Sequence, residues 1–498
     1  MYFPMQSFLV AGISRSGIAA AEYLLENGAK EVLLYDDVSD EGVRAATERL
    51  TARGCRALSK EEAFSVCTEC DVLVLSPGIP VDHPLPVAFR KAGKAIIGEA
   101  ELGARALRCP VIAVTGTNGK TTTVSMIEHI LSQAGRHAVA CGNIGRPLTS
   151  CLSELGTEGI AVAEISSFQL ETLTSLRPHI AVELNITEDH LNRHYTMDNY
   201  IYLKSRLLKN CTESEYAVLN ADDPTVRKFA EKTRAKAVFF STAERKDAGR
   251  ADTGHTDGGY VEDGAVWFGG ERILSLSELP LAGEHNEADA LAAVCVCRLM
   301  GVRAADIARA LKSFRGIPHR IQTIGKVNGV TFIDDSKATN VDAAMRAVES
   351  VRGETVLLLG GKDKGYSYEP LFAALKKSDR VVHTVLYGEN AFRMLDAAMR
   401  ERYDRLTLCR PFDLAVRMAY LTARPGQNVL LSPAAASFDA FKSYEERGER
   451  FAALMREFAA EKNGQVAGTD GEQTPADEAR GGGTTARDAE DAADAEEG

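Results

Sequence analysis

The 498-residue sequence predicts an α/β protein with three domains, and three observations lead to that prediction. Short apolar runs alternate with segments of helical periodicity, which is the pattern of parallel sheets covered by helices. Turns rich in glycine and polar residues follow several of those runs, at the positions where open sheets bind ligands. The length fits about three domains of ~150 residues each. We therefore predict domains at 1–107, 108–316 and 317–462, with a tail at 463–498.

Composition excludes several classes of protein. Hydrophobic residues make up 45% of the chain and charged residues 26%, as in ordinary soluble proteins. The net charge is -12, but the tail alone carries -8, so a general nucleic-acid surface is not expected. No apolar run is long enough to predict a membrane span, and no secretory signal is predicted. Scattered cysteines favour a reduced, cytoplasmic protein, and the acidic, glycine-rich tail is predicted to be disordered.

The N-terminal domain is predicted to be Rossmann-like. A strand at Phe8–Ala11, a glycine-containing turn and a helix lead to a second strand, which ends at Asp36 and Asp37. Ser14 stands where a dinucleotide-binding turn would have its second glycine, so a dinucleotide site is only weakly indicated. A mononucleotide could still bind there, with an aspartate at the end of the second strand on its ribose or base. Ser76 begins a serine-proline-glycine segment after the next strand, and alone that segment is more typical of an ordinary turn.

The central domain is predicted to be a P-loop-type ATPase domain with a mostly parallel sheet. Thr115 to Thr121 read TGTNGKT between an apolar strand and a helical segment. The backbone N–H groups of Gly116 to Lys120 are expected to face an anion, with Lys120 at the β- and γ-phosphates and the Thr121 hydroxyl on Mg²⁺. Val114 replaces the usual first glycine, and an ordinary glycine-rich turn is the alternative.

Three further residues of the central domain could ligate metal. Glu164 ends a predicted strand beside the phosphate loop, where a carboxylate suits the Mg²⁺ of a nucleotide. His190 follows the next strand, although a lone histidine there is more often structural. Lys204 lies on a predicted helix, and its position alone is more typical of a solvated lysine.

The C-terminal domain is predicted to be Rossmann-like, with polar segments after three strands. These segments are Asp334–Asn340, Gly360–Gly365 and Ser432–Asp439. Each is individually explained as a turn or helix cap, but together they surround the crevice in which open α/β sheets bind ligands.

The motifs together resemble the Mur ligase family from about Ser7 to Phe458. The segments that carry the resemblance are TGTNGKT at 115–121, EISSFQLE at 164–171, TEDH at 187–190, HN at 285–286, PHR at 318–320, DSKATN at 335–340 and SPAAASFD at 432–439. The SSFQLE and SKATN forms resemble the family member that adds D-glutamate. The resemblance implies a ligase with UDP-, ATP- and amino-acid-binding domains. It would join D-glutamate to UDP-N-acetylmuramoyl-L-alanine, a peptidoglycan precursor, through an acyl phosphate.

The resemblance also implies roles for individual residues. The catalytic residues would be Lys120, Glu164, His190 and Lys204. Two Mg²⁺ ions would be held by Thr121, Glu164, His190 and a Lys204 carbamylated by CO₂. ATP would contact Gly116, Thr117, Asn118, Gly119, Lys120, Thr121, Thr122, Asn286, Arg320, Asp335 and Lys337. The uridine nucleotide would contact Ser16, Asp36, Asp37, Ser76, Gly78 and Asn143. D-Glutamate would contact Thr339, Lys364, Ser437, Phe438 and Tyr444.

The sequence departs from the family pattern at Ala435, where a cysteine is usual, and at Tyr444, where phenylalanine is common. Neither change removes a reacting group. Small-molecule substrates and a monomer are expected. Two alternatives stay open: a related ligase with another nucleophile, including a folylpolyglutamate synthase-like enzyme, and a nucleotide-binding protein without turnover.

Overall fold

The computed structural model describes residues 3–39, 41–143, 145–244, 258–281, 283–363 and 367–467. The chain forms two compact units, 1–322 and 323–498. The first unit contains two sheets and the second unit contains one. The predicted boundaries of three domains stay a prediction.

The first sheet of the first unit is parallel, with the strand order β3-β2-β1-β4-β5. Its strands are β1 (Ser7–Ala11), β2 (Glu31–Tyr35), β3 (Arg56–Ala57), β4 (Val72–Leu75) and β5 (Ala95–Gly98), and its helices are α1 (Arg15–Glu26), α2 (Glu41–Ala52), α3 (Lys60–Ser65), α4 (Pro84–Lys91) and α5 (Glu99–Ala106). Alternate residues of β1 enter apolar clusters on opposite faces, which is why the strand reads as continuously apolar. The predicted Rossmann-like arrangement is confirmed.

The second sheet is mostly parallel, with the order β14-β13-β12-β11-β10-β9-β6-β8-β7. Its strands are β6 (Val111–Thr115), β7 (Ala138–Gly142), β8 (Ile160–Glu164), β9 (Ile180–Glu183), β10 (Tyr216–Asn220), β11 (Lys236–Glu244), β12 (Gly259–Glu262), β13 (Ala265–Phe268) and β14 (Glu271–Ser275). Its helices are α6 (Lys120–Gln133), α7 (Leu148–Leu155), α8 (Ser167–Thr172), α9 (Leu191–His194), α10 (Met197–Ser205), α11 (Pro224–Arg227), α12 (Glu284–Leu299) and α13 (Ala304–Ser313). Strands β12, β13 and β14 pair antiparallel to one another, as successive hairpins.

Helix α5 binds the two sheets of the first unit together through buried carboxylates. Glu99 Oε1 accepts hydrogen bonds from the backbone N–H and hydroxyl of Thr149, at 2.7 and 2.8 Å. Glu101 accepts from the N–H groups of Thr174 and Ser175 at 2.7 and 2.9 Å. Because the donors belong to the central part of the chain, α5 packs against elements beyond its own sheet.

The second unit contains a sheet with the order β15-β16-β20-β17-β18-β19, parallel from β16 to β19. Its strands are β15 (Gln322–Val327), β16 (Val330–Asp334), β17 (Thr355–Gly360), β18 (Val381–Tyr387), β19 (Leu406–Leu408) and β20 (Asn428–Leu431). Its helices are α14 (Val341–Ser350), α15 (Glu369–Lys377), α16 (Ala391–Arg400), α17 (Phe412–Thr422) and α18 (Tyr444–Ala467). Helix α18 extends into the first residues of the predicted tail, and 468–498 lie outside the described residues. Among the described helices, none is long and apolar enough to cross a membrane.

Candidate active site

The segment between β6 and α6 has the backbone of a phosphate loop. Gly116 has φ +149° and Gly119 has φ +83°, conformations that favour glycine. A Cβ on Gly116 would lie 2.9 Å from the Leu184 Cβ, and one on Gly119 would lie 2.1 Å from Asp289 Oδ1. The loop therefore requires glycine at both positions, and it delivers Lys120 and Thr121 to the first turn of α6.

One expectation for this loop is wrong in part. The N–H of Thr117 donates to Asn185 O and the N–H of Asn118 donates to Asn185 Oδ1, each at 2.8 Å. These two N–H groups stabilise the loop against the segment after β9 and do not face an anion. A phosphate bound at this loop is therefore expected to depend more on the N-terminus of α6 than the sequence predicts.

The Lys120 ammonium lies over the phosphate loop. Its Nζ donates to Gly116 O at 2.8 Å and to Thr117 O at 2.7 Å. The Thr117 hydroxyl is 3.1 Å from Tyr200 OH and donates to Thr187 O at 3.1 Å, while Thr122 is buried in the first turn of α6. The cation is thus placed beside the backbone on which the phosphates of a nucleotide are expected.

Thr121 and Glu164 meet at the ends of neighbouring strands, as the sequence predicts. The Thr121 hydroxyl donates to Glu164 Oε2 at 2.8 Å, and Asn143 Nδ2 donates to Glu164 Oε1 at 2.7 Å. Strands β6 and β8 are paired up to Val114 and Glu164, so both side chains emerge at the same sheet edge. A hydroxyl and a carboxylate are oxygen ligands of the kind that Mg²⁺ prefers. This pair fits a nucleotide-bound Mg²⁺.

Lys204 is buried next to the phosphate loop instead of being solvated. Only 1% of the residue is exposed, and its Nζ donates to Thr115 Oγ1 at 3.0 Å and to Gly116 O at 2.7 Å. Burial, followed by the positive charge of Lys120, lowers the pKa of Lys204 to about 7. A substantial fraction of this amine is therefore neutral near neutral pH.

Glu183 is a buried acid that the sequence analysis missed. It is paired in register with Thr115, so it lies near the residue that accepts from Lys204. Within the described part of the chain, neither of its carboxylate oxygens has a hydrogen-bond partner. Burial raises the pKa of Glu183 well above the ordinary value. The signal in the sequence is an acidic residue at the end of the apolar run Ile180–Glu183, before Leu184.

His190 lies near this site but is not assembled into a ligand cluster. The backbone of His190 has φ +54°. Its ring centroid is 4.8 Å from that of Phe168, and its Nε2 is 3.5 Å from Asp189 Oδ2. In the ranges that the structure describes, no group of three or more His, Cys, Asp or Glu side chains has a metal-binding arrangement. The second Mg²⁺ site therefore stays a prediction.

Arg193 connects the loop that carries His190 to the first sheet. Its guanidinium pairs with Glu171 at 2.6 Å and donates to the carbonyls of Pro77, Gly78 and Ile79 at 3.0–3.4 Å. Its charge also lies 5.0 Å from the Phe168 ring centroid. The sequence analysis did not single out Arg193, although the residue lies close to the TEDH motif.

Most residues assigned to the uridine nucleotide lie at the carboxyl edge of the first sheet, whereas Asn143 follows β7 of the second sheet. Ser76 Oγ donates to Gly12 O at 2.7 Å, and Asp36 accepts from the N–H groups of Ile13 and Val38 at 2.6 and 2.9 Å. Asp37 accepts from Tyr35 OH at 2.5 Å. Ser16 lies in the first turn of α1, Gly78 is exposed, and Arg15 Nη2 donates to Asn143 O at 3.3 Å. Asp36 is thus already engaged in shaping the turn.

Two residues assigned to the adenine nucleotide lie in the first unit. Asn286 is in the first turn of α12, and the N–H of Arg320 donates to Ile317 O at 3.2 Å. The same helix presents Asp289, whose Oδ1 accepts from Thr123 Oγ1 at 3.2 Å. Burial raises the pKa of Asp289 to about 7, which makes it a second acid that the sequence analysis missed.

The other assigned residues lie in the second unit. Asp335 Oδ2 accepts from Ser432 Oγ at 2.7 Å, and Lys337 Nζ is 5.9 Å from the Tyr444 ring centroid. The N–H of Thr339 donates to Lys337 O at 2.9 Å. Ser437 is buried and Phe438 is 67% exposed, so these neighbours differ in accessibility. Lys364 lies outside the described residues.

Comparisons with known proteins agree with this arrangement. Residues 114–297 match the Mur ligase middle domain and residues 319–435 match the Mur ligase glutamate ligase domain. The UDP-N-acetylmuramoylalanine--D-glutamate ligase of Pelotomaculum thermopropionicum is 39% identical over 91% of this chain and 98% of its own length. The enzyme of that name from Acidobacterium capsulatum is 40% identical over 90% of this chain and 95% of its own.

Solved structures share the fold at lower sequence identity. A UDP-N-acetylmuramate-alanine ligase of Thermotoga maritima has a TM-score of 0.54 at 17% identity and covers 91% of this chain and 99% of its own. The MurF ligase of the same organism, solved in complex with ADP, has a TM-score of 0.52 at 16% identity and covers 92% of this chain and 95% of its own.

The three-sheet fold and the threonine–glutamate pair at its phosphate loop are those of an amide ligase with a nucleotide site, and the chain belongs to the Mur ligase family. Within that family, the branch to which it is similar over most of its length is that of the UDP-N-acetylmuramoylalanine--D-glutamate ligases.

Proposed function

We propose that this protein is an ATP-dependent ligase that forms the amide bond between UDP-N-acetylmuramoyl-L-alanine and D-glutamate. The observation that carries the proposal is the contact between Thr121 and Glu164 at the end of the phosphate loop that holds Lys120. Relatives that are 36–40% identical and carry this enzyme's name support the choice of substrates. We infer that the protein acts in the cytoplasm, where ATP and a uridine-nucleotide substrate are available to a ligase of the kind that its relatives are named for.

The proposed reaction begins with transfer of the γ-phosphoryl group of ATP to the alanine carboxylate. The resulting acyl phosphate has a good leaving group, which the free carboxylate lacks. The amine of D-glutamate attacks the acyl carbon, and the tetrahedral intermediate expels phosphate to leave the amide. Phosphoryl transfer depends mainly on positioning and charge neutralisation, and Lys120 supplies a cation beside the loop.

We infer that Thr121 and Glu164 hold Mg²⁺, which neutralises charge on the phosphates when bound. Asn143 fixes the second oxygen of Glu164 and leaves the first directed to Thr121. The proposal that Lys204 becomes carbamylated rests on the family resemblance. Its burial and its pKa of about 7 support the proposal, because only a neutral amine attacks CO₂.

The decisive experiment is phosphate release from ATP in the presence of UDP-N-acetylmuramoyl-L-alanine, with the amino acid varied. Release that requires D-glutamate supports the proposal. Release that requires another amino acid moves the chain to a different branch of the family, and release with none of them indicates a nucleotide-binding protein without turnover. The Lys120→Ala variant is the control, because loss of the loop cation should abolish the D-glutamate-dependent signal.

A further inference from the structure

Arg447 is a fully buried arginine in the first turns of α18. Its Nε donates to Ser336 Oγ at 2.8 Å, and its Nη2 donates to Ser336 O at 2.8 Å and to Ala435 O at 3.2 Å. Its Nη1 donates to Ala435 O at 3.2 Å and to Ala436 O at 3.3 Å. Among the described residues, every hydrogen-bond acceptor of Arg447 is a neutral oxygen.

A buried charge is costly unless its hydrogen bonds are satisfied, and Arg447 satisfies them with Ser336, with the carbonyls of Ala435 and Ala436, and with Tyr387 OH at 3.5 Å. The guanidinium is a rigid planar fork, so its five N–H groups fix the positions of their acceptors relative to one another. A lysine ammonium could not span Ser336 and Ala436 in the same way. Together with the pairing of β16 and β20 and the bond from Ser432 to Asp335, this side chain sets the spacing between the segment after β16, at Ser336, and the segment after β20, at Ala435 and Ala436.

Both segments continue directly into residues that the family resemblance assigns to ligands. Ser336 precedes Lys337, and its hydroxyl also donates to Tyr444 O at 2.8 Å. Ala436 precedes Ser437, and its carbonyl accepts from the N–H of Lys362 at 2.8 Å. Arg447 is thus the point at which the end of β16, the segment after β20 and the start of α18 are joined.

We propose that Arg447 is a positioning residue for the amino-acid substrate, because it holds the backbone that leads into Ser437 at a fixed distance from the turn after β16. The inference rests on the proposed function. Arg447 does not itself touch the amino acid, because its N–H groups are used within the protein. Its loss should weaken amino-acid binding most and ATP binding less, because Lys337 follows Ser336, and it should leave the uridine substrate unaffected, because the residues assigned to that substrate belong to the first unit.

The test is a comparison of KM for D-glutamate, ATP and the uridine substrate in Arg447→Lys and in a matched control. Arg450→Lys is the control, because Arg450 lies three residues further along α18 and pairs at the surface with Asp413 and Glu457. Loss of hydrogen bonds to a buried cation should raise the KM for D-glutamate roughly tenfold or more. In Arg447→Lys the KM for ATP should rise less than that for D-glutamate, and the KM for the uridine substrate should stay within about twofold of wild type, as should all three KM values in the control.

The inference is overturned if the KM for D-glutamate stays within about twofold of wild type, or if all three KM values rise together with a lower unfolding temperature. Should Arg447→Lys not fold, Ser336→Ala replaces it, because that variant removes one acceptor and keeps the guanidinium. An unchanged KM for D-glutamate in Ser336→Ala would likewise overturn the inference. If the wild type shows no D-glutamate-dependent phosphate release, the proposed function is wrong and this inference fails with it. If the wild type is active but the variants keep its KM for D-glutamate, only the inference fails.

Discussion

Replacing Asp289 with asparagine should change the pH dependence of stability in the first unit. Asp289 is 4% exposed, and its carboxylate accepts a hydrogen bond from the hydroxyl of Thr123 on α6. Burial raises its pKa to about 7 from an ordinary value of 3.8. Lys120 and Arg320 act on the carboxyl from outside its own helix, and both favour its ionised form. Asparagine keeps the shape of the side chain and is neutral at every pH.

The sign of the effect follows from proton binding. Between pH 4 and pH 7 the folded protein keeps the Asp289 proton while the unfolded chain loses it, so wild-type stability falls as pH rises through this window. Each pKa unit corresponds to about 1.4 kcal/mol, so the full shift amounts to about 4 kcal/mol, of which about 3 kcal/mol accumulates between pH 5 and pH 8. Over that interval Asp289→Asn should gain about 3 kcal/mol in its free energy of unfolding relative to wild type.

The assay is urea unfolding at pH 5 and pH 8, followed by the fluorescence of Trp267. This residue is the single tryptophan of the chain and lies on β13, in the same sheet as the phosphate loop. Comparing variant with wild type cancels the titration of all other groups. The control is Asp306→Asn, because the ionised Asp306 pairs with Arg303 and Arg309 and its pKa lies below the ordinary value, mainly through the Arg303 hydrogen bond. A difference between Asp289→Asn and wild type that changes by less than about 0.5 kcal/mol between the two pH values would refute the reasoning.

Three further predictions concern the phosphate loop and its neighbours. Gly119→Ala should lower ADP affinity at least roughly tenfold in calorimetry, because the new Cβ meets Asp289 at 2.1 Å, whereas Gly135→Ala, at φ +76° with open space around it, should not. Glu164→Gln should remove most of the Mg²⁺ dependence of ADP binding, and equal affinities with and without Mg²⁺ in the wild type would contradict this role. Lys204→Ala should be inactive, and added bicarbonate should not restore its activity. A variant with normal activity would disprove the carbamate.

The sequence was sufficient to predict the chemistry that depends on local spacing. Thr121 and Glu164 are separated by 43 residues, but Thr121 lies in the turn of helix that follows β6 and Glu164 is the last residue of β8. Both strands have the apolar sequence of buried strands, and parallel strands bring their carboxyl ends to one edge of the sheet. The contact between these side chains therefore follows from two local patterns and one topological rule. Apolar runs followed by polar turn residues likewise predicted where β1, β4 and β20 end.

The parts that were not predictable depend on contacts between distant segments. The N–H groups of Thr117 and Asn118 bind Asn185, and nothing in the loop sequence indicates such a partner. An acid inside an apolar strand, such as Glu183, does not reveal from sequence whether it is paired, solvated or buried without partners. Arg447 reads as one of many arginines on a charged helix, and only the fold shows that it is fully buried.

The carboxylates of α5 bear on how this chain could be divided into fragments. A cut after residue 107 follows the change of sheet, yet it would separate Glu99 and Glu101 from Thr149, Thr174 and Ser175. The N-terminal fragment would then expose the two carboxylates to water, and the other fragment would expose the N–H and hydroxyl groups that bind them in the intact chain. The two halves of the first unit are therefore poor candidates for independent expression, whereas the junction near 322 is the natural place to divide the gene.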